Sequence, residues 1–574
     1  MLSQGGLPSL AGFTGLPGRF VDLVAWILAD VSFCAALDPV FPESRFFQER
    51  DSIEPADMSE SHPAIGIDLG TTFSAVARLD ETGRPTTLAN VEGDKTTPSV
   101  LFFDGDEVIV GKEAVKAMGD EMPCVADCVK RELGQRIYPK ELAGRQYPPA
   151  ALQAWVLHKL GQDTRTQVGP FHKVVVTVPA YFDEAHRKAT QDAGYMAGFD
   201  VMDIINEPTA AAVAFGYQQG YITAHEGVIQ SQTILVYDLG GGTFDVTVME
   251  IGDREFRALA TDGDVHLGGQ DWDRRLVDFV AEEFMTRFAA DPRQHPNSLG
   301  RLWRESEDAK RTLSARSKAT ILCEHGGHSL RVEVTRGQFE DLTRDLLDRT
   351  AFTTRETLQA AGLAWADVDR VLLVGGSTRM PAISAMLKEL SGREPDRTVS
   401  PDEAVAHGAA LHAGVLLARH AGKSPSFKIA NVNSHSLGVA ATDRKTGRPR
   451  TATLIPRNTC LPVTAKRIFH TQKQNQKSIL VQIVEGENAI PDACSQVGRC
   501  SIRSLPDELA ARTPVEVCFR YLENGRLTVY VAIEGIEKRV KHELLRENSL
   551  SQEALDSWRK YISGLSPMLS RESR

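Results

Sequence analysis

Apolar positions along the chain follow two rhythms, and the change between them divides it. From Ala64 to about Gly422, short runs of β-branched residues alternate with amphipathic stretches, the pattern of α/β layers. Val174-Val175-Val176-Thr177-Val178 reads as a buried strand closed by Pro179, with a helix expected from about Asp183. Ile204-Ile205 leads into Asn206-Glu207-Pro208-Thr209 and an alanine-rich helix. Val371-Leu372-Leu373-Val374 is another buried strand, running into Gly375-Gly376-Ser377-Thr378-Arg379. The stretch from Glu305 to Ser314 reads as a helix charged along one side. After Lys423-Ser424-Pro425 the apolar runs become short and alternating, as in 478–484, 515–521 and 527–533, the last following the turn Glu523-Asn524-Gly525. That rhythm predicts a compact β-sandwich. A final helix is expected from about Leu550, with Ser549 and Gln552 spaced as a capping box and Gly564 as its stop.

Composition narrows the partners. The chain has 574 residues, of which 42% are hydrophobic and 25% charged, an ordinary soluble balance with length for several cores. A net charge of −11 gives no general attraction to nucleic acid or anionic lipid, so neither is an expected partner. Eight cysteines include no C-x-x-C pair, which argues against a disulfide framework and for a reducing cytoplasm. Cys124 and Cys128, four apart, read as structural thiols able to share a helix face rather than as metal ligands. Phe20 to Ala36 is apolar, but Asp22 and Asp30 interrupt it and no positive cluster precedes it, so a membrane span is not expected. Residues 1–60 read as a poorly ordered extension, with Met58 as an alternative start.

The motif that carries chemistry occurs twice, about 170 positions apart. Each copy ends an apolar run: Ile65-Gly66-Ile67-Asp68-Leu69-Gly70-Thr71-Thr72 and Ile234-Leu235-Val236-Tyr237-Asp238-Leu239-Gly240-Gly241-Gly242-Thr243. A strand that ends in a carboxylate and turns through Gly and Thr presents backbone N–H groups to phosphate, while the carboxylate holds hydrated Mg²⁺. Two copies predict two lobes closing on one nucleotide.

Together with Val178-Pro179-Ala180-Tyr181-Phe182, Asn206 to Ala212, Gly263 to Asp273 and Val374 to Pro381, these segments resemble the 70-kDa heat-shock chaperones, the DnaK-like proteins. The resemblance implies an actin-like two-lobed α/β ATPase domain over 61–422, a linker over 423–433, a β-sandwich substrate domain over 434–545 and a short helix and tail over 546–574. It implies ATP hydrolysis coupled to binding and release of apolar client segments. Gly70, Thr71 and Thr72 would form one phosphate hairpin, and Gly240, Gly241, Gly242 and Thr243 the other. Asp68 and Asp238 would hold Mg²⁺ through water, with K⁺ nearby, and Lys130 would reach the γ-phosphate. Glu207, Thr243 and Asp245 would orient the attacking water, a positioning role that makes turnover slow. Glu307, Lys310, Arg311 and Ser314 would embrace adenosine from one lobe, and Gly375, Gly376, Ser377, Arg379 and Asp402 from the other side. Pro179 and Arg187 match positions that couple nucleotide state to the second domain, and Val439, Phe469, Ile479 and Val481 match the peptide pocket.

The bland alternatives are a strand-end cap for each Asp, an amphipathic-helix surface for Lys130 and sandwich core for the pocket residues. The chain also departs from the family pattern. The linker Phe427-Lys428-Ile429-Ala430-Asn431 keeps two apolar residues and loses a carboxylate. Met202-Asp203 replaces a basic pair that contacts J-domain partners, which points either to a dedicated or altered co-chaperone or to independence from one. Lys466, Arg467, His470, Lys473 and Lys477 surround the expected pocket, suggesting tolerance for acidic client flanks. The sequence ends after one short helix, so the family's helical lid is expected to be missing or a stub, as in the HscC-type branch. The expected protein is a monomeric cytoplasmic chaperone with no assigned exchange factor. The competing readings are a nucleotide-gated interaction module without peptide binding, and a small-molecule kinase, which would need a carboxylate base beside an acceptor pocket.

Overall fold

Both Asp-Leu-Gly motifs sit where a central strand ends. The computed structural model describes residues 63–222, 230–443, 445–503, 505, 509–523, 525–533, 540–542 and 550–564. The expectations for residues 1–60, Met58 and Ser549 fall outside these.

In the first lobe, β1 (Ile65–Asp68) turns back through the Gly-Thr-Thr hairpin into β2 (Phe73–Leu79), with β3 (Pro85–Leu88) outside it. The parallel strands β4 (Lys173–Val178) and β5 (Asp200–Asn206) complete the order β3-β2-β1-β4-β5. Helices α1 (Pro149–Val168) and α2 (Glu184–Met196) close over Ile65, Ile67, Val174 and Val176. Asp183 caps α2 by accepting the His186 N–H at 3.0 Å, which is why the helix starts where its sequence predicts. From β5 the chain passes directly into α3 (Glu207–Gln218).

The second lobe repeats this logic. β6 (Gln232–Leu239) pairs antiparallel with β7 (Phe244–Gly252), which pairs with β8 (Glu255–Asp264). Helices α4 (Gly269–Phe288) and α5 (Pro296–Ala315) follow, and β9 (Arg370–Val374) returns parallel to β6. Asp68 and Asp238 therefore occupy equivalent ends of the two central strands. Between the lobes lie α3 and α6 (Ala404–His420), and small residues let them touch: a Cβ on Gly408 would sit 1.8 Å from the Ala210 carbonyl oxygen.

The linker is a strand. β10 (Lys428–Ala430) adds parallel to the free edge of β8, with Phe427 buried edge-on against Phe256 at 5.6 Å. Beyond it, β11 (Leu437–Thr442), β12 (Pro449–Ile455), β13 (Val463–His470), β14 (Ser478–Glu485), β15 (Ser495–Arg503), β16 (Pro514–Tyr521), β17 (Leu527–Ile533) and β18 (Val540–His542) form two four-stranded sheets, β12-β11-β14-β15 and β13-β16-β17-β18. Their inner faces share one apolar core. The architecture is the expected actin-like two-lobed α/β unit followed by a β-sandwich and a short helix.

That helix, α7 (Gln552–Ile562), is capped by Ser551, which accepts the Ala554 N–H at 3.2 Å, and Gly564 ends it at φ 72°. It packs on the first lobe: Leu555 and Ile562 join the core beneath α1, and Trp558 meets Trp155 at 6.0 Å. Cys124 and Cys128 do not share a helix face. A strand over Val125–Ala126 separates them, and Cys128 adopts a left-handed φ of 55°.

Candidate functional site

The two phosphate hairpins meet tip to tip. A Cβ on Gly241 would lie 2.4 Å from Thr72 and one on Gly242 2.3 Å from Thr71, so only glycine allows this approach. Backbone bonds fix the second hairpin from behind: Gly240 N–H donates to the Thr243 carbonyl, while Gly269 N–H and the Ser377 hydroxyl both donate to the Gly240 carbonyl. Below the hairpins lies a cleft of about 800 Å³ between the lobes.

Lys130 enters this cleft on a 3₁₀ turn, Val129–Glu132, and is 1% exposed. Its ammonium donates to Glu207 Oε1 at 2.5 Å and lies 5.8 Å from the Phe182 ring centre. The surface-helix alternative for Lys130 is therefore wrong: its environment is supplied by α3, far away in sequence. Asp68 accepts from the Thr177 hydroxyl at 3.0 Å, and Asp245 accepts the Tyr181 N–H at 2.9 Å. Asp68, Glu207, Asp238 and Asp245 thus crowd around one ammonium. Burial first, then the Glu207 carboxylate, pushes Asp68 and Asp245 each up to about 7 and Asp238 well above the usual range. Such an excess of buried negative charge suits a divalent cation. Among the described residues no group of three or more His, Cys, Asp or Glu side chains is placed to ligate a metal directly. The donor set therefore fits Mg²⁺ held through water.

The residues expected on the adenosine side come from α5 and the turn after β9. Lys310 donates to the Gly269 carbonyl at 2.9 Å and to Asp273 Oδ2 at 2.7 Å, and Arg311 pairs with Glu307 at 2.6 Å. Arg311 also lies 5.3 Å from the ring centre of Phe73, which belongs to the first lobe. Ser314 bonds back into its own helix, and Arg379 pairs with Asp402. Gly375 takes a φ of 82°, and a Cβ there would lie 2.4 Å from the Leu239 carbonyl oxygen. Every nucleotide-side residue named from the sequence lines the cleft except Gly242, whose carbonyl faces Arg131, and Asp245, which lies behind it. Arg131, Asp271 and Asp273 were not singled out. Their only sequence signal is charge beside motifs, a basic pair at 130–131 and acids in the first two turns of α4.

Residues 64–143 and 120–563 match the Hsp70 protein family. The chain belongs to the Hsp70 family. The chaperone protein DnaK from two strains of Halobacterium salinarum is 38% identical over 482 residues, spanning 83% of this chain and 74% of the relative. As an Hsp70 protein the chain is an ATP-hydrolysing molecular chaperone.

From the cleft, Tyr181 leads to the second domain. Its N–H holds Asp245, and its carbonyl accepts from His435 Nε2 of the sandwich domain at 2.9 Å. Arg187 braces the same segment, donating to the carbonyls of Phe182 and Ala180 and to Asn206 Oδ1 at 2.8 Å. Pro179 ends β4 just before it, and its carbonyl accepts the Phe182 N–H. Asn431 of the linker accepts from Thr209 at 3.1 Å. Asp203 bonds His412 at 2.8 Å and lines a cavity of about 510 Å³ with the linker and the sandwich domain.

The four pocket residues lie differently from the nucleotide set. Val439, Ile479 and Val481 are buried at 4–8% exposure in the sandwich core, with Phe469 half-buried against it. Ile479 and Val481 do face one side, while Leu480 between them is exposed. In this arrangement they are core residues. Among the described residues no helix is long and apolar enough to cross a membrane.

Proposed function

We propose that the protein runs a chaperone cycle in which residues 61–422 hydrolyse ATP slowly, 423–433 carry the signal, and 434–545 hold and release apolar client segments. Lys130 would offset charge growing on the transferred phosphoryl oxygens, and Glu207, Thr243 and Asp245 would orient the attacking water. Because Lys130 is already bonded to Glu207, the γ-phosphate would compete for a preorganised ammonium rather than recruit a solvated one. Mg²⁺, held through water by Asp68 and Asp238, would supply further neutralisation at the phosphates, with K⁺ beside it. Glu307, Lys310, Arg311 and Ser314 would hold adenosine against Gly375, Gly376, Ser377, Arg379 and Asp402.

The observation that carries the coupling is Tyr181, bonded at once to Asp245 behind the cleft and to His435 in the sandwich domain. A change in the water-orienting shell would be felt at the seam through a single residue. Pro179 and Arg187 would transmit it, and release of β10 from β8 would free the sandwich. Val439, Phe469, Ile479 and Val481 would then become available to a peptide as the sandwich loosens.

Clients would be unfolded or specialised polypeptides with apolar cores and acidic flanks, since Lys466 and Arg467 are exposed beside Phe469. A J-domain partner would meet an acidic Asp203 where a basic residue is usual, so a dedicated partner is favoured. The expected setting is cytoplasmic and monomeric. The test is ATP turnover with and without an apolar peptide, in wild type and Ile479→Asp. Stimulation lost in the variant supports the cycle; turnover indifferent to both peptide and substitution rejects it in favour of a nucleotide-gated interaction module.

A further inference from the structure

We propose that Arg131 is a positioning residue that locks the second phosphate hairpin onto the lobe carrying Lys130, so that both hydrolysis and product retention depend on it. The proposal rests on the reading of the cleft as the ATP-hydrolysing site. Lys130 and Arg131 are neighbours on one 3₁₀ turn, yet they serve opposite walls. Lys130 turns inward to Glu207, whereas Arg131 crosses to the other lobe.

The crossing has two points of attachment. Arg131 Nε donates to the Gly242 carbonyl at 2.7 Å, and Nη2 donates to Asp271 Oδ2 at 2.6 Å. The same Asp271 oxygen accepts the Gly268 N–H at 2.8 Å, tying the guanidinium to the start of α4. With side-chain exposures of 15% and 23%, the pair is largely shielded from water and bonds more strongly than a surface pair. A planar fork meets this two-acceptor geometry, and a lysine ammonium does not.

The hairpin needs such a clamp. Gly242 has no side chain, and a Cβ there would meet Thr71 of the opposing hairpin at 2.3 Å. Its carbonyl sets the plane of the peptide that leads to Thr243, one of the residues lining the cleft. Fixing that carbonyl fixes the N–H groups offered to phosphate relative to Lys130 on the adjoining residue. The two lobes cannot part without breaking both Arg131 bonds, so the fork also resists release of product.

The experiment uses the full chain with Arg131→Met, Arg131→Lys and Arg131→Ala. Single-turnover ATP hydrolysis and release of a fluorescent ADP are measured, with thermal melting as the folding control. Arg131→Met is expected to slow hydrolysis about tenfold or more and to speed ADP release about tenfold, the scale of losing one positioning contact. Arg131→Lys recovers only part of either rate, and added guanidinium ion partly restores Arg131→Ala, which a purely structural role would not allow. Met and wild-type rates within twofold of each other, or a Lys variant equal to wild type, overturn the proposal. If wild type itself hydrolyses no ATP, the reading of the cleft falls and this proposal with it; unchanged variants beside an active wild type reject Arg131 alone.

Discussion

The Glu485 carboxylate accepts the backbone N–H of Glu184 at 3.0 Å, joining the end of a sandwich strand to the first residue of α2. Among the described residues no ion pair reaches Glu485, which is 4% exposed. Burial, then the Asp183 carboxylate, raises it well above the ordinary glutamate range, with Glu184 adding to the rise while the Glu184 N–H and Arg187 lower it. The Tyr521 hydroxyl faces the same group and is itself pushed up, first by burial and then by Glu485. Asp183 stays ionised: burial opposes its charge, but the hydrogen bond and charge of His186 hold it at about 2. A carboxyl group whose value rises on docking binds its proton more tightly in the docked state. Docking is therefore strongest below the ordinary glutamate range and weakens as pH rises through the raised value. Protease cutting at the Ser424–Phe427 linker should increase with pH in wild type, and Glu485→Gln should flatten that dependence. Identical pH profiles for the two proteins would refute it.

Lys130→Ala removes the ammonium that Asp68, Glu207, Asp238 and Asp245 surround and strands Glu207. Single-turnover hydrolysis should fall about a hundredfold or more, on the scale of losing one charge-stabilising donor. ATP should still bind, because the adenosine contacts proposed for α5 would remain. Calorimetric titration checks the binding and quench-flow checks the rate; loss of both together would place Lys130 in binding rather than chemistry.

Gly242→Ala tests the hairpin contact. Its methyl group would fall 2.3 Å from Thr71, so the lobes must separate to admit it. Affinity for ATP should drop about tenfold or more, with little change in the melting temperature of the sandwich domain. Unchanged nucleotide affinity would mean that the hairpins do not close on phosphate together.

Trp558→Ala tests the seat of α7. Trp558 meets Tyr147 at 6.1 Å and Trp155 at 6.0 Å, while Asp556 accepts from the Tyr195 hydroxyl at 2.5 Å. The indole is half-buried, so its loss should cost about 2 kcal/mol, below the range for a fully buried tryptophan. Hydrogen exchange should rise across 552–562 and along the facing turns of α1 and α2. Protection unchanged at those turns would show that the helix does not depend on this aromatic contact.

Much of this was legible in the sequence because it is local. A run of β-branched residues ending in Asp-Leu-Gly specifies a strand, its end and its turn, and both copies sit at the ends of central strands. Asp183 as a cap, Gly564 as a stop and the alternation in 478–484 are equally short-range statements. Lys130 was harder. Its own segment reads as a charged surface, and only Glu207, 77 positions on, makes it a buried cleft residue. The pocket set shows the same limit from the other side: a period of two places Ile479 and Val481 on one face, but not whether that face meets a partner or the opposing sheet.

By itself, then, the sequence determined the strands, the two hairpins and the switch to a sandwich, since these follow from periodicity and turn chemistry within a few residues; the residues assigned to the nucleotide came from the family resemblance. Tertiary structure alone decided which charges share one space: Lys130 with Glu207, Arg131 with Gly242 and Asp271, Glu485 with the start of α2, and Tyr181 between Asp245 and His435. Those pairings depend on burial and on distances set by packing across lobes and domains. Nothing within one segment fixes them.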